Sequence, residues 1–546
     1  MQSLWFKNAV IYCLEVDVFK DGNGDGIGDF IGLRQGLSYL AGLGVTCIWL
    51  LPFFTSPDRD DGYDVTDYLS VDPALGDFGD FVAFMDEARN RGIRVIIDLV
   101  VNHTSNRHPW FQQARRKHPK YYDYYVWRTD PPGDTTDEVV FPGKQKGVWQ
   151  YDRLAKAYYF HRFYSYQPDL NTANPEVREE IKKILGFWAA LGVSGFRVDA
   201  APFVIAAKGA HAGKHPHEAF EYLHEFREFL RWKTGDAILL AEANVAPDQL
   251  MEFFGAEGQR MNLLLNFYVN PHLFLALAQQ SPEPIERSLS ALPQIPASCH
   301  WAYFLRNHDE LDLSRLAELE KEQCFRTFAP KKTMQLYDRG IRRRLAPMFH
   351  GDLAKTLLAY SLIFTIPGTP VFWYGDEIGM GEDLSLEERN SVRTPMQWTS
   401  ERNGGFSTAP KEGLRRPVIS KGPFSYHRVN VQKSRREPGS LLNRLERMIR
   451  TRKEFPEFGT GTYRILETDR PKTVFAHACE DEAGSAVLAA HNLSQEAESV
   501  TVRLWKNEFD HFVNLFEEQE NEPILNEKIK LKLPPDGYSW LRLVAK

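Results

Sequence analysis

Two charged side chains, Arg197 and Asp199, end the short apolar stretch Gly195 to Ala200. They are two residues apart, so on a β-strand they point to the same side. A guanidinium beside a carboxylate favours the ionised carboxylate by lowering its pKa. An ionised Asp199 at the end of a rigid strand suits a nucleophile. A lone pair of this kind is more simply a structural ion pair, but other apolar stretches of the chain end in the same way.

Polar residues follow six of the apolar stretches that are rich in β-formers. They are Asp60 to Asp64, Asn102 and His103, Arg197 and Asp199, Glu242 to Asn244, Asn307 to Glu310, and Asp376 and Glu377. The carboxyl ends of parallel strands in a barrel meet on one face, where active sites lie. We therefore expect these side chains to converge on one site.

Glu242 is the second carboxyl group with a distinct chemical role. It lies between two alanines after Ile238 to Leu240, and an apolar setting raises a carboxyl pKa toward neutrality. Glu242 can therefore act as a general acid while Asp199 attacks an anomeric carbon. Neighbouring strands predict the ~5–5.5 Å carboxyl separation of a retaining glycosidase. Asp309 would bind sugar hydroxyls more tightly in the transition state, with His103 and His308 as neutral donors.

Eight apolar runs alternate with helical patterns, which predicts a (β/α)8 TIM barrel. The predicted strands are Ala9 to Val16, Val45 to Leu51, Ile93 to Asn102, Gly195 to Asp199, Ile238 to Ala243, Met261 to Phe267, His300 to Leu305 and Thr369 to Tyr374.

Two intervals do not follow the strand–helix alternation. The long interval after the third strand is too long for one helical connection and predicts a small inserted domain. After Phe455 the pattern changes to short alternating strands, which predicts an antiparallel β-sandwich. The predicted division is therefore barrel over 1–102, insert over 103–168, barrel over 169–458 and sandwich over 459–546.

Composition excludes some classes of partner. The 546 residues carry a formal net charge of -7 with a pI near 6.2, which gives no support for a nucleic-acid or membrane-surface role. No signal peptide or membrane-spanning run is visible. The five cysteines are scattered and odd in number, which is typical of reduced thiols in a cytoplasmic protein. The sequence leaves a homo-oligomer open.

A glycine-rich acidic loop runs from Asp21 to Asp29. Three aspartates would repel a phosphate, whereas oxygen ligands at alternate positions are the spacing of a Ca²⁺ loop. The predicted ligands are Asp21, Asn23, Asp25, the Ile27 carbonyl and Asp29. The alternative is a solvated acidic turn. The sequence does not distinguish Ca²⁺ from Mg²⁺, and it indicates no organic cofactor.

The chain resembles glycoside hydrolase family 13, the α-amylase family, along essentially its whole length. The resemblance rests on Asp98 to His103, Gly195 to Asp199, Leu240 to Asn244, Arg306 to Asp309 and the auxiliary Gln167 to Asn171. It implies that Asp199 is the nucleophile, Glu242 the acid/base and Asp309 the transition-state stabiliser. It also implies a structural Ca²⁺ or Mg²⁺ in the Asp21 to Asp29 loop.

The same resemblance implies an exo-acting, α-glucosidase-like pocket. In that interpretation Asp64 and Arg393 hold the non-reducing-end glucose, and Tyr63 stacks on it. Within the family, several stretches, among them Arg59 to Asp64 and Gly340 to Pro347, are similar to trehalose synthases, which interconvert maltose and trehalose.

The sequence also departs from that group. Ala206 stands where trehalose synthases usually carry a Glu that helps to hold a second Ca²⁺, although Asn102 and Asp169 remain as ligands. Residues Gly209 to Phe220 and Met261 to Asn270 also differ, and they border the expected site of the second sugar.

Three hypotheses follow from the sequence. The first is intramolecular glucosyl transfer between maltose and trehalose through a covalent glucosyl-enzyme. The second is an α-glucosidase or transglucosylase that acts on short α-glucosides. The third, from another class, is an inactive barrel that binds carbohydrate, against which the intact Asp199, Glu242 and Asp309 argue.

Overall fold

Eight parallel strands close into a barrel in the computed structural model, which describes residues 4–206, 208, 219–517 and 522–545. In chain order they are Ile11–Leu14, Cys47–Leu50, Arg94–Leu99, Gly195–Val198, Ile238–Ala241, Leu263–Leu265, His300–Phe304 and Thr369–Trp373. Each lies within a stretch that the sequence predicts to be a strand, so the predicted barrel is confirmed.

The barrel strands are buried along nearly their whole length, because the barrel interior covers one face and helices cover the other. Their parallel register determines which active-site residues are neighbours. Arg197 of the fourth strand lies opposite Asp98 of the third and Leu240 of the fifth. Glu242 follows the fifth strand directly, so the register brings it toward Arg197.

Helices flank the barrel and connect its strands. The longer ones are Phe30–Leu43, Phe78–Asn90, Pro175–Ala190, Glu221–Thr234, Val269–Gln279, Glu283–Ser290, Glu318–Phe328, Leu353–Thr365 and Leu441–Glu454. The shorter ones are Val16–Phe19, Pro109–Ala114, Ala201–Val204, Leu250–Phe254, Leu345–Met348, Val431–Arg436 and Glu457–Thr460. None of the helices within the described parts of the chain is long and apolar enough to cross a membrane.

The predicted insert contains a small antiparallel sheet between the third and fourth barrel strands. Its strands are Trp127–Arg128, Trp149–Asp152 and Ala157–Phe160. Aromatic residues of the insert pack mainly on one another: Phe111 stacks on Trp127 with ring centroids 5.7 Å apart. The insert's aromatic runs therefore form chiefly its own core.

Two antiparallel sheets follow the barrel. One contains Thr462–Ile465, Val474–Glu480, Ala486–Asn492, Phe509–Asn514, Glu522–Pro523 and Tyr538–Ala545, and the other contains Glu498–Arg503 and Lys528–Leu533. Buried side chains of both sheets, such as Leu488 and Val502, share one apolar cluster. This arrangement is the predicted sandwich, whereas the residue limits of the domains stay a prediction.

Candidate active site

A cavity of about 550 Å³ opens at the carboxyl ends of the barrel strands, between the barrel and the insert. Its volume is in the range of small-molecule sites. Six polar residues of the lining follow five of the barrel strands: Asp60 and Tyr63 the second, His103 the third, Asp199 the fourth, Glu242 the fifth and Asp309 the seventh. The structure therefore brings the three predicted catalytic carboxyl groups to one site.

Arg197 joins three carboxylates beside this cavity. It is 1% exposed, and its Nη1 lies 2.8 Å from Asp98 Oδ2 and 2.7 Å from Asp199 Oδ1. Its Nη2 donates to Glu242 Oε2. One guanidinium thus holds Asp199 and Glu242 through its two terminal nitrogens, which is compatible with the short carboxyl separation of a retaining mechanism.

The backbone after Asp199 has an unusual conformation. Ala200 has φ 49°, a left-handed value that is uncommon for a residue with a Cβ. Its amide lies 3.3 Å from Glu242 Oε2, and the Ala201 amide donates to the Glu242 carbonyl at 3.1 Å. Such conformations cluster at functional sites, and here the turn ties the predicted nucleophile to the predicted acid.

Burial determines the ionisation of both groups. It raises the pKa of Asp199 to about 6, although Arg197 acts in the opposite direction. This corrects the expectation from the Arg197–Asp199 pair alone, which omitted the cost of burying the charge. Burial raises the pKa of Glu242 to about 7, again against Arg197. Near neutral pH, Asp199 is therefore mostly ionised while Glu242 carries a proton about half the time.

Asp309 behaves differently because two arginines face it. Burial disfavours its charge, but Arg389 at 3.1 Å and Arg393 at 3.0 Å from Oδ1, with His308, hold the pKa of Asp309 below its usual range. Asp309 therefore stays ionised beside the two reacting carboxyls, as a group that stabilises positive charge on the sugar ring would need to be.

The two histidines are neutral, as predicted. Burial lowers the pKa of His103 to about 4 and that of His308 well below its ordinary value. His103 Nε2 lies 3.0 Å from the Tyr63 carbonyl, and His308 Nε2 lies 2.9 Å from the Tyr63 hydroxyl. That hydroxyl donates to Asp98 Oδ2 at 2.6 Å, so Tyr63 is fixed in the cavity wall.

The structure places Asp64 behind the cavity wall. This side chain is fully buried away from the cavity lining. Its carboxylate accepts from the Ser56 hydroxyl at 2.9 Å, from the Arg59 amide at 3.0 Å and from Arg59 Nε at 3.2 Å. These donors tie the Asp64 carboxylate to its own loop, and its contact with a sugar stays a prediction.

Asp60 lies in the lining instead, and the sequence analysis did not single it out. Its Oδ2 accepts from Gln167 Nε2 at 2.7 Å, and burial raises its pKa to about 6. The signal was present: Asp60 belongs to the polar group after the second strand, and Gln167 belongs to the auxiliary motif. Spacing alone could not say which aspartate of the group faces inward.

Arg393 also lies behind the cavity wall, and its contact with the glucose stays a prediction. It is 2% exposed, pairs with Asp61 and Asp309, and donates from Nε to the His308 carbonyl at 2.9 Å. It therefore positions Asp309 from behind. Arg389, which the sequence analysis missed, does line the cavity.

A further part of the wall lies just beyond Glu242. Asn244 Nδ2 donates to Asp312 Oδ2 at 3.1 Å, and Arg315 Nε donates to Asn244 Oδ1 at 2.6 Å. Asn244, Asp312 and Ser314 all line the cavity. This fixed polar wall is suited to bind the hydroxyls of a second sugar.

The predicted metal loop is satisfied by its own hydrogen bonds. Asp21 accepts from the Gly24 and Gly26 amides, and Asp29 accepts from the Gly32 amide as the cap of the first long helix. In the described residues, no group of three or more acidic, histidine or cysteine side chains is arranged to hold a metal ion. The expected ligand set also contains the Asn23 amide and the Ile27 carbonyl, so binding at Asp21, Asn23, Asp25, Ile27 and Asp29 stays a prediction.

The ligands expected for a second Ca²⁺ lie together. Asn102 Nδ2 donates to Asp169 Oδ2 at 3.1 Å, and the ammonium of Lys208 contacts both residues. Of the segments that depart from the expected pattern, residues 209–218 lie outside the described residues. Phe267, from the other such segment, lines the cavity.

Comparisons with known proteins agree with this geometry. Residues 14–461 match the family model described as alpha amylase, catalytic domain. A trehalose synthase of Thermus thermophilus is 43% identical over 545 residues, which cover 100% of this chain and 56% of that protein. The trehalose synthase/amylase of Mycobacterium tuberculosis is 39% identical over 99% of this chain and 90% of that protein.

A solved structure supports the same assignment. The trehalulose synthase from Pseudomonas mesoacidophila superposes with a TM-score of 0.77 at 25% identity, and the match covers 99% of each chain. This chain spans little more than half of the Thermus relative, but it spans nearly the whole of the other two proteins. With a family match over most of its length and relatives at 39–43% identity, the chain belongs to the α-amylase family of enzymes.

Proposed function

We propose that this chain interconverts maltose and trehalose by intramolecular α-glucosyl transfer. The observation that carries the proposal is the single guanidinium of Arg197 that holds both Asp199 and Glu242 beside the cavity. The names of the relatives, trehalose synthase and trehalose synthase/amylase, support the choice of substrates.

The reaction follows from the ionisation of the two groups. A carboxylate oxygen of Asp199 attacks the anomeric carbon of the non-reducing glucose, and the bond to O4 of the second glucose breaks. Glu242 gives its proton to that leaving oxygen, so a glucosyl ester of Asp199 and free glucose remain in the cavity. The second glucose then turns, and its anomeric hydroxyl attacks the ester while Glu242 takes the proton back. The product is trehalose, and every step is reversible.

Retention of the second glucose requires that water stay out during its rotation. Contacts between the insert and the barrel support this. Lys144 Nζ lies 2.7 Å from Glu388 Oε1, and the hydroxyls of Tyr164 and Tyr337 donate to Glu388 Oε2 at 2.8 and 2.9 Å. Glu388 directly precedes Arg389 of the cavity lining, so this group of contacts between insert and barrel borders the site.

The second candidate is hydrolysis or transfer to an outside acceptor. It is favoured by Phe267, because this residue lies in the lining and belongs to a segment unlike that of trehalose synthases. The name of the Mycobacterium relative also includes an amylase activity. An inactive binding protein is the third candidate, and intact Asp199, Glu242 and Asp309 argue against it.

Product analysis separates the three candidates. Purified protein is incubated with maltose, and the sugars are followed by NMR. Trehalose as the main product supports the proposal, glucose as the main product supports hydrolysis, and no turnover of any α-glucoside supports the binding protein. The Asp199→Asn variant should lose turnover by several orders of magnitude, because a neutral amide cannot form the ester. Turnover retained by that variant would refute the nucleophile assignment.

Three further expectations stay proposals. All five cysteines are free and buried, which supports a reducing compartment such as the cytoplasm. A homo-oligomer is tested by light scattering. Binding of Ca²⁺ or Mg²⁺ by the Asp21 to Asp29 loop is tested by metal analysis, and it would require the loop to exchange some of its own hydrogen bonds for the ion.

A further inference from the structure

The side chain of Lys208 ends in a pocket of oxygens at the junction of barrel and insert. Lys208 is 6% exposed, and its Nζ lies 2.7 Å from Asn102 Oδ1 and 3.0 Å from Asp169 Oδ2. Two backbone carbonyls complete the set, that of Asn102 at 3.3 Å and that of Leu170 at 3.2 Å. The ammonium thus has an amide, a carboxylate and two carbonyl oxygens around it.

This oxygen set has the composition of a Ca²⁺ site. Calcium takes carboxylate, amide and backbone carbonyl oxygens in flexible geometry. In the resemblance described above, a second Ca²⁺ is expected here, held by Asn102 and Asp169 with help from a glutamate at position 206. The chain has Ala206 there, so one anionic ligand is missing, and the ammonium already contacts the remaining ligands. An ion and an ammonium cannot share these oxygens, because two cations at this distance repel each other.

Electrostatics require a cation at this place. Asp169 is fully buried, and a buried carboxylate without a compensating charge is strongly destabilising. Its Oδ1 accepts from the Arg162 amide at 2.8 Å, and its Oδ2 accepts from Asn102 and contacts Lys208. Lys208 supplies the formal positive charge among these partners.

We propose that the ammonium of Lys208 replaces the second Ca²⁺ and makes the junction between barrel and insert independent of metal. This role of Lys208 is independent of the reaction that the enzyme performs. One covalently attached cation stands where the resemblance implies an ion and its glutamate ligand.

The position of this cation links three parts of the active site. Asn102 directly precedes His103, and Asp169 pairs with His103 in an isolated β-bridge. The Leu170 amide donates to the Asn102 carbonyl at 2.8 Å. Lys208 follows Asp199 on the connection that leaves the fourth strand. Lys208 is therefore a positioning residue that fastens the nucleophile's connection to the strand end that carries His103.

The test is to exchange the lysine for the ion. The Ala206→Glu/Lys208→Ala double variant restores the glutamate and removes the ammonium. After equilibration with CaCl₂ and gel filtration, bound Ca²⁺ per chain is measured by mass spectrometry. We expect one Ca²⁺ per chain more than in the wild type, and a rise of Tm on adding Ca²⁺ that the wild type does not share. The Asp21 to Asp29 loop is present in both proteins, so its contribution cancels.

Two controls separate this exchange from general destabilisation. Ala206→Glu alone keeps the ammonium and should gain no Ca²⁺. The Lys208→Met variant keeps the side-chain volume and removes the charge. Without Ca²⁺ its Tm should be lower than that of the wild type, and added Ca²⁺ should restore part of the difference. A folded double variant with no additional Ca²⁺ would overturn the proposal. For the wild type, crystals grown with CaCl₂ should show no anomalous peak between Asn102 and Asp169. A peak there would overturn it even if the variants fail to fold.

Discussion

The rate of the first chemical step should depend on pH through Asp199 and Glu242 together. The reactive form has Asp199 ionised and Glu242 protonated. With pKa values of about 6 and about 7, this form makes up about 60% of the free enzyme at pH 6.5 and about 9% at pH 5 or pH 8. We therefore expect kcat/KM for maltose to follow a bell centred near pH 6.5 and to fall roughly sevenfold at either end.

The basic limb of this profile can be assigned with a substrate that needs no acid. Fluoride leaves without protonation, so α-glucosyl fluoride should react with the Glu242→Gln variant, and kcat/KM should stay constant from pH 7 to 8 while the acidic limb remains. With maltose the same variant should be nearly inactive. Because Arg197 binds both carboxyl groups, the two apparent pKa values of the profile belong to Asp199 and Glu242 as a coupled pair. A flat profile between pH 5 and 8 in the wild type, or a basic limb that persists in Glu242→Gln with the fluoride, would show that Asp199 and Glu242 do not set the pH dependence in this way.

Two other perturbations follow from the structure. Asp312→Ala removes an acceptor from the wall beyond Glu242. The loss of about one hydrogen bond to the sugar should raise KM roughly tenfold and increase the ratio of glucose to trehalose, and Ser314→Ala is the milder control. If KM and the product ratio are both unchanged, this wall does not bind the sugar. Burial lowers the pKa of His477 to about 4, and its ring stacks on that of His491 at 5.7 Å. Above pH 6.5 this histidine is neutral in both states, and as the pH falls toward 4 the unfolded chain binds a proton that the folded chain does not. The free energy of unfolding should therefore drop by about 2 kcal/mol at pH 5, and His477→Phe should make Tm less sensitive to acid; an equal loss of Tm in both proteins would contradict this.

The barrel was predictable because its signals are local and repeated. Each of the eight strands is a short apolar run, and both faces of each strand are covered, so burial leaves a continuous trace in the sequence. The meeting of Asp199, Glu242 and Asp309 at one cavity was predictable for the same reason: each follows a strand, and strand ends meet on one face of a barrel.

The features that the sequence did not reveal depend on side-chain orientation and on competing charges. Asp60 and Asp64 are four residues apart in one loop, and only the loop's folding decides that Asp64 turns toward Ser56 and Arg59. The pKa of Asp199 was predicted in the wrong direction because a neighbouring arginine is visible in the sequence, whereas the cost of complete burial is not. The sequence did not indicate that Lys208 contacts Asn102 and Asp169, because contacts between residues far apart in the chain are seen only in the folded structure.

In the proposed reaction the glucosyl group stays on Asp199 while the second glucose turns within the cavity. Uniformly ¹³C-labelled maltose is incubated with the enzyme in a large excess of unlabelled glucose, and the trehalose formed is analysed by mass spectrometry. We expect trehalose labelled in both rings, because the released glucose never leaves the cavity. Trehalose labelled in one ring only would show exchange with outside glucose, and labelled glucose without trehalose would show hydrolysis. Either result would contradict the intramolecular transfer proposed for this chain.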